Sequence, residues 1–156
     1  GSTEISLLHD GVLTHSHSYN IGTLRMLGGM VSKESIRQMR DDLARFAKEM
    51  PDIRIIGSGG NINKLFKLTN SDKATRTVAV SEIKAVYDKL KVLSVEERIE
   101  QYGLKVDRAD VIIPASEIFM LAAEALGCDS IQVPNISLAD SIIDGLYRTK
   151  YAASDM

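Results

Sequence analysis

One cysteine, no tryptophan, three prolines and 5% aromatic residues are all that this chain of 156 residues carries of several residue types that often betray a function. A lone Cys128 excludes an internal disulfide and a cysteine-built zinc site, suits a reducing compartment, and reads as an inert buried thiol. No apolar run approaches the ~20 residues that a membrane helix needs, and no signal-peptide pattern opens the chain, so a soluble cytoplasmic protein without membrane contact is expected. Charge of one sign is lacking too. With 19 Lys and Arg against 21 Asp and Glu, and a net charge of -2, there is no electrostatic footprint for nucleic acid. Any phosphate binding must therefore be local.

What is present suffices for a packed core: 44% of the residues are hydrophobic and 26% charged, without repeats or low-complexity segments, which fits a single domain over residues 1–156. The chain is organised around Ile53 to Leu65, IRIIGSGGNINKL. Ile53 to Ile56 is a short β-branched run bounded by Pro51 and by glycine, which predicts a buried strand. Gly57, Ser58, Gly59 and Gly60 then remove side-chain bulk ahead of a helix that Asn61 is placed to cap. Two readings fit this stretch. A strand, a bare loop and a helix N-terminus make a cradle for an anion or nucleotide; the same residues also make a tight strand-to-helix turn. The loop matches neither the Walker pattern nor the dinucleotide fingerprint.

Upstream, Ile5 to Leu8 and Val12 to Tyr19 predict a hairpin joined at Asp10-Gly11. His15 and His17 share one strand face, but no third metal ligand is near, and they read as solvated. Gly22 to Leu27, with Arg25, reads as a further extended segment. Ser32 caps an amphipathic helix that ends before Pro51. Downstream, Thr77 to Val80 predicts a short strand and Ser81 a cap for the next helix, and Ser94 to Glu97 forms a capping box for a helix that stops at Gly103. Asp107 opens a mostly apolar helix running to Leu126, with Pro114 marking a kink or a late start. Ser130 to Pro134 reads as a strand and Ser137 to Tyr147 as a closing helix.

Arg108-Ala109-Asp110-Val111-Ile112-Ile113-Pro114, preceded by Glu96-Glu97-Arg98, resembles the exopolyphosphatase and guanosine pentaphosphate phosphohydrolase family. Gly1-Ser2-Thr3-Glu4 looks like the tail of that family's phosphate motif, Gly22-Thr23-Leu24-Arg25 like the segment after its hairpin, and Gly57 to Asn63 like its second glycine loop. The resemblance implies an α/β, ribonuclease H-like half-domain of the actin, sugar-kinase and heat-shock-chaperone ATPase superfamily, a mixed sheet with helices on both faces. It also implies that this is the second lobe of a two-lobe catalytic unit whose first lobe is a partner from the same chain. Where the family shows Arg-Glu-Gly, this sequence has Ala139-Asp140-Ser141.

The activity so implied is hydrolysis of a terminal phosphoanhydride of polyphosphate or of guanosine pentaphosphate. Gly1, Ser2 and Thr3 would hold phosphate oxygens from one side and Gly57, Ser58, Gly59 and Gly60 from the other, with Arg25 as a further phosphate ligand. Glu4 would bind Mg²⁺ or another divalent cation, or orient the attacking water. Arg108 and Asp110 read as structural residues at a helix start. Apolar surface left by the missing lobe would favour a homodimer of the isolated chain. The alternatives are half of an ATP-dependent sugar or acetate-type kinase, and a non-catalytic phosphate-sensing module.

Overall fold

The structure is a computed structural model that describes residues 2–134 and, as backbone, 149–155. Its first two strands, β1 (Thr3–His9) and β2 (Val12–Tyr19), form the expected antiparallel hairpin. Both residues of its turn, Asp10 and Gly11, take positive φ, 51° and 79°. That geometry follows the right-handed twist of the strands.

The next segment departs from expectation. Gly22 to Leu27 is not extended; Thr23–Leu27 is a short helix, α1, whose Met26 amide donates to the Gly22 carbonyl at 2.9 Å. Leu24, Arg25, Met26 and Leu27 all have good helix propensity and lack the alternation of a strand. Helix α2 (Lys33–Glu49) starts at Ser32, whose hydroxyl accepts the Ser35 amide at 3.1 Å, and buries Met39, Leu43 and Phe46.

Strand β3 (Arg54–Ser58) leads through Gly59, at φ 116°, into α3 (Gly60–Leu68). Gly59 is the N-cap and Asn61 lies inside the first turn, so Asn61 does not cap this helix. Strand β4 (Thr77–Ala79) runs straight into α4 (Val80–Lys91), which begins at Ala79 without a side-chain cap; Ser81 is already helical. The capping box of Ser94 and Glu97 forms at the start of α5 (Val95–Tyr102), and Gly103 ends it at φ 64°.

The helix expected from Asp107 to Leu126 is two: α6 (Val106–Ala109) and α7 (Ile112–Leu126). Pro114 stands in the first turn of α7, where a missing N–H removes no helical hydrogen bond, so it marks the late start. Asp110 is the C-cap of α6 and makes no N-terminal cap for α7. Two further strands follow, β5 (Ser130–Gln132) and β6 (Thr149–Asp155). No strand was expected at β6, whose seven residues show no regular alternation of apolar and polar side chains. The expected closing helix at Ser137 to Tyr147 and the Ala139-Asp140-Ser141 departure lie outside the described residues.

Among the described residues, six strands form one mixed sheet in the order β2-β1-β6-β3-β5-β4. β6 is antiparallel to β1 and parallel to β3, and so joins the hairpin to the parallel pair β3–β5. Residues paired across neighbouring strands share a face. Leu7, Ile55, Ile131 and Val78 therefore form one row, all within 2% of complete burial, beneath α2, α3, α4 and α7. The histidines also lie on this covered face, not on a solvated one. His15 pairs with Leu7, and its ring meets Phe46 of α2 at 4.8 Å; the His17 ring packs tilted against Tyr19 at 4.3 Å. Amphipathic α2 needs an apolar seat, and the flat imidazoles supply it.

Candidate functional site

The register of β6 decides where the two predicted phosphate segments meet. Glu4 on β1 and Ser58 on β3 both pair with Ser154. They therefore stand at one level of the sheet and on one face, with a single strand between them, about 10 Å apart at the usual strand spacing. Because β1 runs against β6 while β3 runs with it, the start of β1 and the end of β3 fall at the same sheet edge. The N-terminus of α3 opens there as well. The face they share is the one turned away from the row of Leu7 and Ile55.

Within that edge the predicted residues separate by role. The half-buried Glu4 carboxylate accepts, on Oε1, the hydroxyl of Ser2 and the hydroxyl of Ser18 at 2.8 Å. Two donors on one oxygen hold the carboxylate in place across the hairpin. The Thr3 side chain points the other way: it is 1% exposed, and its hydroxyl donates to the Ile21 carbonyl. A phosphate contact by the Thr3 hydroxyl is thereby excluded, and Thr3 instead ties the segment before α1 to the start of β1. Arg25 sits in the middle of α1, half-buried. Gly1 lies outside the described residues.

Gly57 is also misplaced by the sequence reading. It is buried, and a Cβ there would meet Ile131 Cγ2 at 3.0 Å, Ile62 Cγ1 at 3.1 Å and Phe119 Cε1 at 3.3 Å. Its missing side chain lets α3 and α7 close on the sheet and does not bare the backbone to a ligand. Ser58, Gly59 and Gly60 are what remain of the loop at the open edge.

A residue that the sequence reading assigned to structure belongs at this edge. The Arg108 guanidinium lies directly on Gly60: a Cβ on that glycine would stand 2.3 Å from Nη2 and 2.9 Å from Cζ. Arg108 Nη1 donates to Asn61 Oδ1 at 2.6 Å, and Asn61 is 4% exposed. A cation is thus set against the positive end of the α3 dipole. That arrangement is repulsive by itself and becomes attractive once an anion shares both. The Arg-Ala-Asp motif was visible in the sequence; nothing in it told that α6 would stop at Ala109 and present Arg108 to a loop 47 residues earlier.

The described residues contain no group of three or more His, Cys, Asp or Glu able to hold a metal ion. Glu4 alone fits only a Mg²⁺ that brings most of its ligands as water and substrate phosphate. An open cavity of about 750 Å³ lies elsewhere, lined by Arg54, Asp72, Thr77 and Gln132 among others, and includes none of the residues at this edge. Burial pushes the Cys128 thiol above its ordinary pKa, in keeping with an unreactive cysteine. No helix among the described residues is long and apolar enough to cross a membrane.

No family model matches the chain, and no curated protein matches it in sequence. Solved structures do match. A Ppx/GppA phosphatase of Aquifex aeolicus superposes with a TM-score of 0.61 over 85% of this chain and 49% of its own, at 20% identity. The chain has the fold of half a Ppx/GppA phosphatase. An exopolyphosphatase from Cytophaga hutchinsonii gives a TM-score of 0.63 over 86% of this chain and 50% of its own at 14% identity. An exopolyphosphatase-like protein gives 0.58 over 94% and 55% at 21%. The chain spans about half the length of each. The Ppx/GppA likeness is one of fold, and it agrees with the family that the ordered motifs resemble.

Proposed function

We propose that this chain is the second, ribonuclease H-like lobe of a two-lobe phosphohydrolase that releases the terminal phosphate of inorganic polyphosphate or of guanosine pentaphosphate. The observation that carries the reading is the common edge: the Glu4 carboxylate on β1 and the glycine loop after β3 stand at one level of the sheet with a single strand between them, and the α3 N-terminus with the Arg108 guanidinium lies at the end of that loop. The transition state of phosphoryl transfer is loose and highly charged, so catalysis rests on aligning water and balancing charge on oxygen. Arg108 and the amides of Gly59 and Gly60 would receive the phosphate oxygens. Ser2 and Ser18 would keep Glu4 oriented to take a proton from the attacking water as the terminal phosphorus–oxygen bond breaks. The leaving oxygen stays with the shortened chain. Mg²⁺ arriving with the substrate would spread the negative charge, and Glu4 would be the carboxylate to meet it. Leu24, Leu27 and Met30, on and just after α1, are exposed apolar side chains on which the first lobe would pack.

The test is phosphate release by the full-length protein from polyphosphate, guanosine pentaphosphate and ATP with Mg²⁺, beside Glu4→Gln. Release from one of the first two, falling by about 10²–10⁴-fold in the variant as expected on loss of a general base, supports the reading. Release from none, or release indifferent to Glu4, defeats it. The isolated chain is expected to turn over negligibly, having half of the cleft.

A further inference from the structure

The position of Arg108 is set by a second arginine that never reaches the site. Arg108 is the third of the four residues of α6, a helix with no side-chain cap at its start. So short a helix does not hold itself. Its end is tied by Arg98 of α5, the last residue of the Glu-Glu-Arg triplet. Arg98 Nε donates to the Leu90 carbonyl in the last turn of α4 at 2.8 Å, and its Nη1 donates to the Ala109 carbonyl, which ends α6, at 2.9 Å. Both acceptors are helix-terminal carbonyls; that of Leu90 also accepts the Leu93 amide at 3.1 Å, and Leu90 and Ala109 are fully buried, so a water cannot easily replace the Arg98 donor. One planar guanidinium thereby spans two helix ends, which the single ammonium of a lysine cannot do in the same way. The carbonyl that it fixes at that end belongs to the residue immediately after Arg108.

Building on the reading of this edge as a phosphate site, we infer that Arg98 is a positioning residue: it sets the α6 terminus so that the Arg108 guanidinium rests on Gly60 and against Asn61. Its effect on a phosphate ligand passes through Arg108 and through nothing else. The sequence places the two arginines ten residues apart in two helices, and only the shared Ala109 peptide connects them.

The experiment is equilibrium binding of inorganic tripolyphosphate to the full-length protein carrying Glu4→Gln to prevent turnover. Arg98→Lys and Arg98→Met are compared in the presence of Arg108 and in an Arg108→Ala background, with thermal melting of each variant. With Arg108 in place, loss of one or both carbonyl bonds weakens binding by about 5–10-fold, the size of one misplaced hydrogen bond. In the Arg108→Ala background the same substitutions leave the dissociation constant unchanged. Equal losses in both backgrounds, or a lower melting temperature with unchanged binding, would overturn the inference. Should Arg98→Met not fold, Arg98→Lys decides alone. If Arg108→Ala weakens binding while the Arg98 variants do not, only this inference falls; if Arg108→Ala leaves binding intact, the reading of the edge falls with it.

Discussion

Substituting Gly60 by alanine tests the placement of Arg108 by a change of sign. Gly60 is helical and is not among the glycines at positive φ, so alanine suits its backbone and gains up to about 1 kcal/mol of helix propensity. Against this, the new methyl would lie 2.3 Å from Arg108 Nη2. The guanidinium is the end of a flexible chain and swings away, which relieves the clash but gives up the 2.6 Å bond to Asn61, a charged hydrogen bond of about 1.5–3 kcal/mol. The two terms together leave Gly60→Ala destabilised by about 0.5–2 kcal/mol, a fall of a few degrees in melting temperature for a chain of this length. With Arg108→Ala in the background there is no guanidinium to displace, and the same substitution stabilises by up to about 1 kcal/mol. Urea unfolding of the four proteins in the cycle reads both differences. The same sign and size in the two backgrounds would refute the reasoning, because the conflict would then lie with the backbone.

Two other perturbations follow from the packing and the charges. Gly57→Ala is expected to destabilise by about 1–3 kcal/mol through overpacking, since Ile131, Ile62 and Phe119 are rigidly seated around the site of the new methyl; chemical unfolding checks it, and an unchanged midpoint would show that α3 or α7 yields. Burial, and then the hydrogen bond that Tyr19 donates to Asp42 at 2.6 Å, push the Tyr19 phenol well above its ordinary pKa of 10.0. Its neutral form is therefore favoured in the fold, and the stabilisation is full below pH 10 and declines as the pH rises beyond it, where the unfolded chain loses the proton first. Tyr19→Phe is expected to flatten that alkaline decline in a series of unfolding curves.

Much of the fold was written locally. Asp10-Gly11, the Ser32 cap, the capping box at Ser94 and Glu97, and the glycine at 103 each specify their own turn or helix end through local geometry that few other residues allow, and the structure places them as read. The reading of Gly22 to Leu27 failed because so short a stretch carries too little period to separate strand from helix, and the caps read at Asn61 and Ser81 failed because each helix starts before them, at Gly59 and Ala79. The histidines failed for a different reason: alternation tells which residues share a face, but not which face a distant helix will cover.

The sequence by itself determined that Glu4 sits near the start of a strand and Ser58 just past an apolar run, each beside small residues, because those facts depend only on near neighbours. Only the tertiary structure decided that they stand side by side on one face of the sheet. Their meeting rests on β6, almost a hundred residues beyond Ser58, pairing with both β1 and β3 in one register. The guanidinium on Gly60 likewise depends on where α6 stops, an end whose carbonyl Arg98 ties to that of α4. Pairings over such separations are fixed by the sum of the packing and by no local pattern, which is why Gly57 proved a core residue and Arg108 a site residue.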